Sequence, residues 1–361
     1  MSQKAKTLIL SLFSYFALCN CQCKFAVTNE TTKIQGMFVF GSSLVDNGNN
    51  NFLEKCKTKA NYLPYGIDNV KGPTGRFTNG KNVIDLLGDH LKLPPIPTYK
   101  DPTTKGNMIL HGVNFASGGS GILDETGVAS VKRIRGEEIE KGKGEVMSMN
   151  EQIRNLETVT VPELEKQLGC KSNEALSNYL FVVGTGGNDF SLNYFLNFPN
   201  NNATLKGFIS KLIIRLTQQF QRLYNLGARK FVVMSVYPNG CSPMVLARVP
   251  IPPLTGCVET VNIALHIYNT NLRSLLDNLT QKMPGFDNTI NPCCEVTTIK
   301  EGGNETLCKN GGHACPSRTK FVWFDGLHPT EAVNIVLANK AFASDLDSDV
   351  YPTNVKKLME E

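Results

Sequence analysis

The sequence predicts an α/β fold in which a mainly parallel sheet is covered by helices on both faces. Short apolar runs rich in β-branched and aromatic residues alternate with longer segments of helical period. Strands that alternate with helices in this way imply a parallel sheet with both faces buried. No internal repeat or low-complexity linker marks a domain boundary, so we expect one domain over residues 33–361. A chain of 361 residues that is 41% hydrophobic can supply its core.

Five apolar runs are the predicted strands. They span residues 37–40, 113–116, 179–183, 230–236 and 321–324. The clearest helical segment lies between the third and fourth runs. Its apolar residues recur at three- and four-residue steps from Phe208 to Leu223. We expect this segment to be a core-packing helix that ends at Gly227.

The first residues have the pattern of a secretory signal peptide over about residues 1–23. A basic start, MSQKAK, precedes the apolar run TLILSLFSYFAL and a small-residue exit, with cleavage expected between Cys19 and Lys24. The apolar run is too short to span a bilayer comfortably, so a membrane anchor or a core helix is the weaker interpretation. We therefore expect a secreted, extracellular monomer without a membrane span in the mature chain, located in the apoplast or cell wall if the source is a plant.

Cysteines and glycosylation motifs fit the same compartment. Eight cysteines follow the signal segment, and this even number suggests disulfides, with the last four able to staple the loop from 293 to 315. Metal ligation is the weaker interpretation, because no pair of cysteines has zinc-finger spacing with matching histidines. Four Asn-x-Ser/Thr motifs predict glycosylation, at Asn29, Asn202, Asn278 and Asn304.

Several functional classes are not supported. The net charge of +5 arises from 37 basic and 32 acidic residues spread along the chain, so there is no nucleic-acid footprint. The loop GTGGND at 184–189 lacks the last glycine of a dinucleotide motif, and residues 136–144 lack the spacing and the hydroxyl residue of a P-loop. The Gly-x-Ser-x-Gly elbow of ordinary α/β-hydrolases does not occur.

Polar residues follow the predicted strands at the edge where parallel sheets bind ligands. Ser42 and Ser43 follow the first strand, and Asp325 and His328 follow the last. An imidazole held by a carboxylate can take the proton of a hydroxyl group, although Asp325 could equally cap the helix that begins near Thr330. The remaining histidines lack a carboxylate at comparable spacing after a strand; they are His90, His111, His266 and His313.

Two other strand ends offer hydrogen-bond donors. Asn188 lies in the glycine-rich loop after the third strand, and its NH₂ group could donate to a developing oxyanion. The glycines at 118, 119 and 121 would let a backbone N–H approach the same oxygen, or they form an ordinary turn.

Together these motifs resemble the plant GDSL esterase/lipase family of the SGNH hydrolase superfamily. Its members share an N-terminal Gly-Asp-Ser-Leu, a glycine block, a Gly-x-Asn-Asp block and a C-terminal Asp-x-x-His. The longer matches are PYGID at 64–68, GRFTNGKNVIDLLG at 75–88 and GVNFASGGSGILDETG at 112–127. The resemblance implies a flavodoxin-like, three-layer α/β/α sandwich around a five-stranded parallel sheet.

The resemblance also implies a reaction, the hydrolysis of carboxylic esters through a covalent acyl-enzyme. The catalytic positions of the family fall on Ser43 as nucleophile, His328 as base and Asp325 as acid. Its oxyanion donors fall on the Ser43 amide, Asn188 and a glycine of the second block, which we place at Gly119, with Gly118 as the alternative. The implied partner is a small-molecule or lipid ester, and no metal or organic cofactor is implied.

Two features depart from the family pattern. Ser42 stands where the family has aspartate, and a hydroxyl group cannot supply the missing negative charge. The charged stretch at 131–145, VKRIRGEEIEKGKGE, looks longer than the usual connection, and we expect a solvated loop near the site. Two alternatives to an esterase stay open: an acyltransferase to a sugar or lipid hydroxyl, and a secreted binding protein with impaired catalysis.

Overall fold

The computed structural model describes most of the chain. The described residues are 34–127, 130–134, 137–141, 144–195, 204–247, 256–272, 292–303, 305–346, 349–350 and 353–360. The predicted signal peptide lies outside these residues, and so do the asparagines of all four glycosylation motifs, Asn29, Asn202, Asn278 and Asn304.

The strands of the described chain form two sheets. A parallel sheet of order β1-β4-β5 consists of β1 (Gly36–Gly41), β4 (Tyr179–Gly184) and β5 (Lys230–Val233). An antiparallel hairpin consists of β2 (Ser130–Ile134) and β3 (Glu137–Lys141). The predicted α/β class with a parallel sheet is confirmed.

Nine α-helices occur in the described part of the chain. They are α1 (Val83–His90), α2 (Met149–Asn155), α3 (Val161–Leu168), α4 (Ser172–Ala175), α5 (Leu205–Leu226), α6 (Pro243–Leu246), α7 (Glu259–Leu272), α8 (Glu331–Ala343) and α9 (Val355–Leu358). Short 3₁₀ turns span Asn49–Phe52, Gly106–Ile109, Leu176–Asn178, Asn239–Cys241, Ile299–Glu301 and Arg318–Lys320, and π turns span Leu156–Thr160 and Asp189–Tyr194. None of the helices within the described ranges has the length and apolarity to cross a membrane.

Alternate residues of the parallel sheet enter two separate cores. Phe38 and Phe181 pack on one face with buried residues of α2, α3, α5 and α7. Val39 and Val182 pack on the other face with residues of α1, α8 and α9. Because successive side chains of a strand point to opposite faces, β1 and β4 are buried on both sides, and the helices form the outer layers of an α/β/α sandwich.

The predicted helix after the third strand is α5. Its apolar residues at three- and four-residue steps are buried or partly buried, and Leu212 and Leu216 are among the buried ones. The Thr204 side chain caps its first turn by accepting the Gly207 N–H at 3.1 Å. Gly227, with φ +119°, ends it as predicted.

The predicted strand at 113–116 lies alongside β1 as an extended segment without becoming a regular strand. Val39 donates its N–H to the Val113 carbonyl at 3.0 Å, and Phe115 donates to the Val39 carbonyl at 2.8 Å. Ser117 continues this parallel pattern by donating to the Gly41 carbonyl at 3.0 Å. The glycine block that follows therefore starts at the same edge of the sheet as Ser42.

The prediction of a strand at 321–324 is wrong. The Phe324 N–H donates to the carbonyl of His328, four residues later, at 2.7 Å. The chain therefore turns after Phe324 instead of continuing as a strand. The Phe324 carbonyl accepts the N–H groups of Cys293 and Cys294 at 3.0 and 2.8 Å. Because these partners use the backbone groups that a strand would need, the five predicted parallel strands are not confirmed in the described residues.

The charged stretch at 131–145 is not the solvated loop that we expected. Most of it forms the hairpin of β2 and β3, with Val131 paired to Glu140 and Arg133 paired to Glu138 in the register. Antiparallel pairing satisfies backbone hydrogen-bonding groups within the segment, which a loop would leave to water.

Disulfides staple the C-terminal loop as predicted. Cys293 is bonded to Cys315 and Cys294 to Cys308, both across the loop from 293 to 315. A third bond joins Cys241 to Cys257.

Gln152 of α2 fixes the end of β1. Its Oε1 accepts the Gly41 N–H at 2.8 Å, and its Nε2 donates to the carbonyls of Gly41 and Met147 at 2.9 and 2.8 Å. Gly41 has φ +141°, and a Cβ there would lie 2.1 Å from the Gly184 carbonyl oxygen, so only glycine fits. The chain thus leaves the sheet at a defined point just before Ser42 and Ser43.

We expect Gln152→Leu to lower the free energy of unfolding by about 2–4 kcal/mol. The reason is that the Gly41 N–H and the Met147 C=O would each lose the buried partner that Gln152 provides, at roughly 1–3 kcal/mol each. Chemical denaturation measures the change. The control is Gln221→Leu, at an exposed position of α5, for which we expect a change within about 0.5 kcal/mol. Equal, small effects of the two substitutions would contradict the role of Gln152.

Candidate active site

Three residues predicted from two separate motifs meet at the edge of the sheet. Ser43 Oγ lies 2.7 Å from His328 Nε2. His328 Nδ1 in turn lies 2.7 Å from Asp325 Oδ2 and 2.9 Å from Oδ1. All three residues are buried, with Ser43 the most exposed at 7%. One continuous hydrogen-bond chain therefore runs from a hydroxyl group through an imidazole to a carboxylate.

The Asp325 carboxylate also shapes the turn that carries His328. Its Oδ1 accepts the backbone N–H groups of Leu327 at 2.8 Å and His328 at 2.7 Å. The alternative role of Asp325, as the cap of the following helix, is not what the structure has, since Thr330 is the N-cap residue of α8. The same carboxylate therefore orients the imidazole and sets its backbone position.

Tyr65 is a member of the hydrogen-bond chain that the sequence analysis missed. Its hydroxyl donates to Asp325 Oδ2 at 2.5 Å and accepts the Cys308 N–H at 3.2 Å. Tyr65 is fully buried, and burial followed by the nearby Asp325 carboxylate raises its pKa well above the ordinary value. The hydroxyl therefore stays protonated as a donor. The only signal in the sequence was its place in PYGID, which indicated a family match without a role.

Ser42 and Ser43 both line a pocket at this edge, formed by the loops after β1, β4 and β5 together with Leu327. The backbone N–H of Ser42 donates to the Gly184 carbonyl at 3.0 Å. The hydrogen-bond chain from Ser43 to Asp325 does not pass through position 42. Ser42, which stands where the family has aspartate, is therefore not a member of the chain.

The predicted oxyanion donors lie next to the glycine block. Asn188 is buried at the pocket, and its Nδ2 donates to the Ser120 carbonyl at 2.8 Å. Gly118 uses its N–H on Asp46 Oδ2 at 2.9 Å, so it is the less suitable of the two glycine candidates. The other candidate, Gly119, is the next residue in the chain, and its φ of +91° places it at a bend of the backbone.

Two buried carboxylates bind the two ends of the glycine block. Asp46 bonds to the Gly118 N–H, and Asp189 accepts the N–H groups of Ile122 at 2.8 Å and Leu123 at 3.0 Å. Burial raises the pKa of each carboxyl to about 6, against the partly compensating backbone hydrogen bonds. In the sequence, Asp189 stands where a dinucleotide motif would have its last glycine, which gives no sign of this role.

The remaining histidines have partners elsewhere in the fold. His90 contacts Asn339, His111 the Gln35 carbonyl, His266 Thr270, and His313 Glu295. Over the described ranges, the structure has no cluster of three His, Cys, Asp or Glu side chains that could hold a metal ion.

The fold and the hydrogen-bond chain together are typical of a hydrolase that uses a serine. Comparison with known proteins gives the class more closely. Residues 37–341 match the sequence model of the family "GDSL-like Lipase/Acylhydrolase". The match covers most of the chain, and it includes Ser43, Asn188, Asp325 and His328.

Three proteins of Arabidopsis thaliana illustrate the similarity. GDSL esterase/lipase At1g71691 is 37% identical over 90% of this chain and 85% of its own length. At1g71250 is 37% identical over 90% and 89%, and At1g29670 is 36% identical over 89% and 90%. The chain therefore belongs to the GDSL esterase/lipase family and is a carboxylic ester hydrolase.

We expect Asp189→Asn to change how stability depends on pH. The Asp189 carboxyl has a pKa of 3.8 in the unfolded chain and about 6 in the folded protein. Protonation of this carboxyl therefore stabilises the folded state fully below pH 3.8, and this stabilisation is lost as the pH rises through about 6. The uncharged variant should therefore gain about 3 kcal/mol relative to the native protein between about pH 4 and about pH 7.

Denaturation of both proteins across this pH range measures the difference. Asp46→Asn provides a matched comparison, because burial raises the pKa of Asp46 to about 6 as well. A stability difference that stays constant with pH would contradict the expectation.

Proposed function

We propose that the protein is a secreted serine esterase that hydrolyses carboxylic esters through a covalent acyl group on Ser43. The observation that supports this proposal best is the pair of 2.7 Å contacts that join Ser43 Oγ to His328 and His328 to Asp325. These groups lie beside a pocket that can admit a substrate.

The first half of the proposed reaction forms the acyl-enzyme. His328 Nε2 takes the proton of Ser43 Oγ while that oxygen attacks the carbonyl carbon of the ester. Asp325 accepts from His328 Nδ1, which fixes the tautomer and stabilises the imidazolium that forms. The proton on Nε2 then passes to the leaving alcohol as the tetrahedral intermediate collapses. In the second half water attacks the acyl group by the same sequence, and the acid is released.

The oxyanion of the intermediate needs preorganised donors. Asn188 has two N–H groups on its amide, and the bond to the Ser120 carbonyl uses one of them, which orients the amide and leaves the other as a donor. We assign the remaining donors to the backbone N–H groups of Ser43 and Gly119. Such donors act in a water-poor site without reorganisation during the reaction.

Secretion is part of the proposal. It is supported by the signal-peptide pattern of the first residues and by the disulfides between described residues, since such bonds persist mainly in oxidising compartments. Glycosylation at the four predicted asparagines and a monomeric state belong to the same proposal.

The two alternatives differ in how the site supports them. An acyltransferase would use the same residues and differ only in the acceptor of the acyl group. A catalytically impaired binding protein was suggested by Ser42, but the hydrogen-bond chain is complete without a contribution from that side chain. This completeness favours catalysis over a binding role.

We expect Ser43→Ala to lower ester hydrolysis by about 10⁴-fold or more, because the nucleophile is removed. Ser42→Ala, the neighbouring control, should retain activity within about 10-fold, since no step passes through it. Turnover of short- and long-chain 4-nitrophenyl esters measures both, and mass spectrometry locates the trapped acyl group.

The opposite result, with loss of activity in Ser42→Ala alone, would move the nucleophile to Ser42. An inactive native protein that gains activity on Ser42→Asp would support the impaired binding protein instead.

We expect Tyr65→Phe to lower kcat by about 10-fold with KM nearly unchanged. The substitution removes a donor to the Asp325 carboxylate, while Tyr65 does not line the pocket. Tyr62→Phe is the matched control, because the Tyr62 hydroxyl donates to the Cys308 carbonyl at 2.8 Å on the same loop without a bond to Asp325. Equal losses of kcat in the two variants would assign Tyr65 to the loop alone.

A further inference from the structure

Two residues that line the pocket beside Ser43 carry a buried oxygen atom that the fold leaves unpaired. Thr185, in the loop after β4, and Asn239, in the loop after β5, both line it. They are 8% and 3% exposed. Thr185 Oγ1 and Asn239 Oδ1 have no hydrogen-bond partner among the described residues. Because an unpaired buried polar atom destabilises the fold, we expect its partner to come from the contents of the pocket.

The positions of both residues are set by their surroundings. Thr185 precedes Gly186, which has φ +113° and lies so close to the Tyr268 hydroxyl that a Cβ would approach it to 2.9 Å. Asn239 accepts the Ser242 N–H at 3.0 Å through its backbone carbonyl. The next residue but one, Cys241, is bonded to Cys257. These contacts fix the backbone of both loops beside the pocket.

The side chains that line the pocket indicate which group would form hydrogen bonds with these two oxygen atoms. Asn239 Oδ1 can only accept a hydrogen bond, and the Thr185 hydroxyl can both donate and accept. Ser42 and Ser235 add hydroxyl groups to the same pocket, and none of the described residues that line it is charged. A neutral hydroxyl fits this set, whereas an anion would lack a cationic partner. A purely apolar chain would cover the two oxygens without pairing them.

We propose that Thr185 and Asn239 form a subsite for a neutral hydroxyl of the substrate, close to its ester group. The substrate hydroxyl donates to Asn239 Oδ1 and pairs with Thr185 Oγ1. Carbon atoms of the substrate pack on the apolar part of the wall, which includes Leu44, Met234 and Leu327. This inference rests on the proposed function, since Ser43 defines where the ester carbonyl lies.

The hydroxyl has two chemical sources. It belongs either to the alcohol half of the ester, as in a partly acylated sugar or polyol, or to the acyl half, as in a hydroxy-acid ester. The first source is tested by a monoacetylated methyl glycoside compared with cyclohexyl acetate. The second is tested by ethyl 3-hydroxybutanoate compared with ethyl butanoate. Each pair differs chiefly in the hydroxyl groups that the subsite would bind.

The experiment measures kcat/KM of the secreted full-length protein and its variants on both pairs. The native protein should prefer the hydroxylated member of one pair by about 10-fold or more, which identifies the source. Thr185→Val replaces the hydroxyl by a methyl group of similar size, so it should lose about 10-fold on that member and remain unchanged on the apolar one. Thr185→Ser retains the hydroxyl and should retain the preference.

Asn239→Leu supplies a second variant, with the same expected split between the two members of the pair. Absence of a preference in both pairs would overturn the subsite, and so would equal effects of Thr185→Val on the hydroxylated and apolar esters. If hydrolysis still depends on Ser43 in those cases, the proposed function stands and the subsite alone fails. If none of the hydrolysis depends on Ser43, both proposals fail.

Discussion

The parallel pairing of β1 with β4 is the interaction on which the rest of the site depends. The two strands end level, with Gly41 opposite Gly184 in the register. A side chain at Gly41 would collide with the Gly184 carbonyl, so the strands can approach this closely only because glycine ends β1. As a result the loops that carry Ser43 and Asn188 leave the sheet side by side, and Gln152 holds the first of them from the helical layer.

Buried carboxylates then organise the loops above this edge. Asp46, Asp189 and Asp325 each accept two or more backbone N–H groups. Burial of a charge opposes folding, and for Asp46 and Asp189 it raises the pKa to about 6 despite those donors. The three carboxylates fix the geometry of the loops. Asp46 and Asp189 bind the two ends of the glycine block, and Asp325 shapes the turn that carries His328.

The disulfide-stapled loop supports the same turn from the other side. Cys294 donates its N–H to the Phe324 carbonyl at 2.8 Å, just before Asp325. Cys308, bonded to Cys294, donates to the Tyr65 hydroxyl, which in turn contacts the Asp325 carboxylate. The loop from 293 to 315 thus connects the covalent cross-links of the protein to the acidic end of the hydrogen-bond chain. An oxidising compartment would stabilise the fold and the candidate site together.

The sequence by itself determined the α/β class, the helix α5, the staple of the last four cysteines and the residues that meet as Ser43, His328 and Asp325. These depend on periodicity, on an even cysteine count and on motifs that resemble those of a known family, all of which are patterns along the chain. Only the tertiary structure decided that 321–324 turns instead of pairing, that Tyr65 reaches Asp325, that Asp46 occupies the Gly118 N–H, and that Thr185 and Asn239 keep unpaired oxygens at the pocket. Such contacts join residues far apart in the chain, and their partners are set by packing, on which spacing along the sequence carries no information.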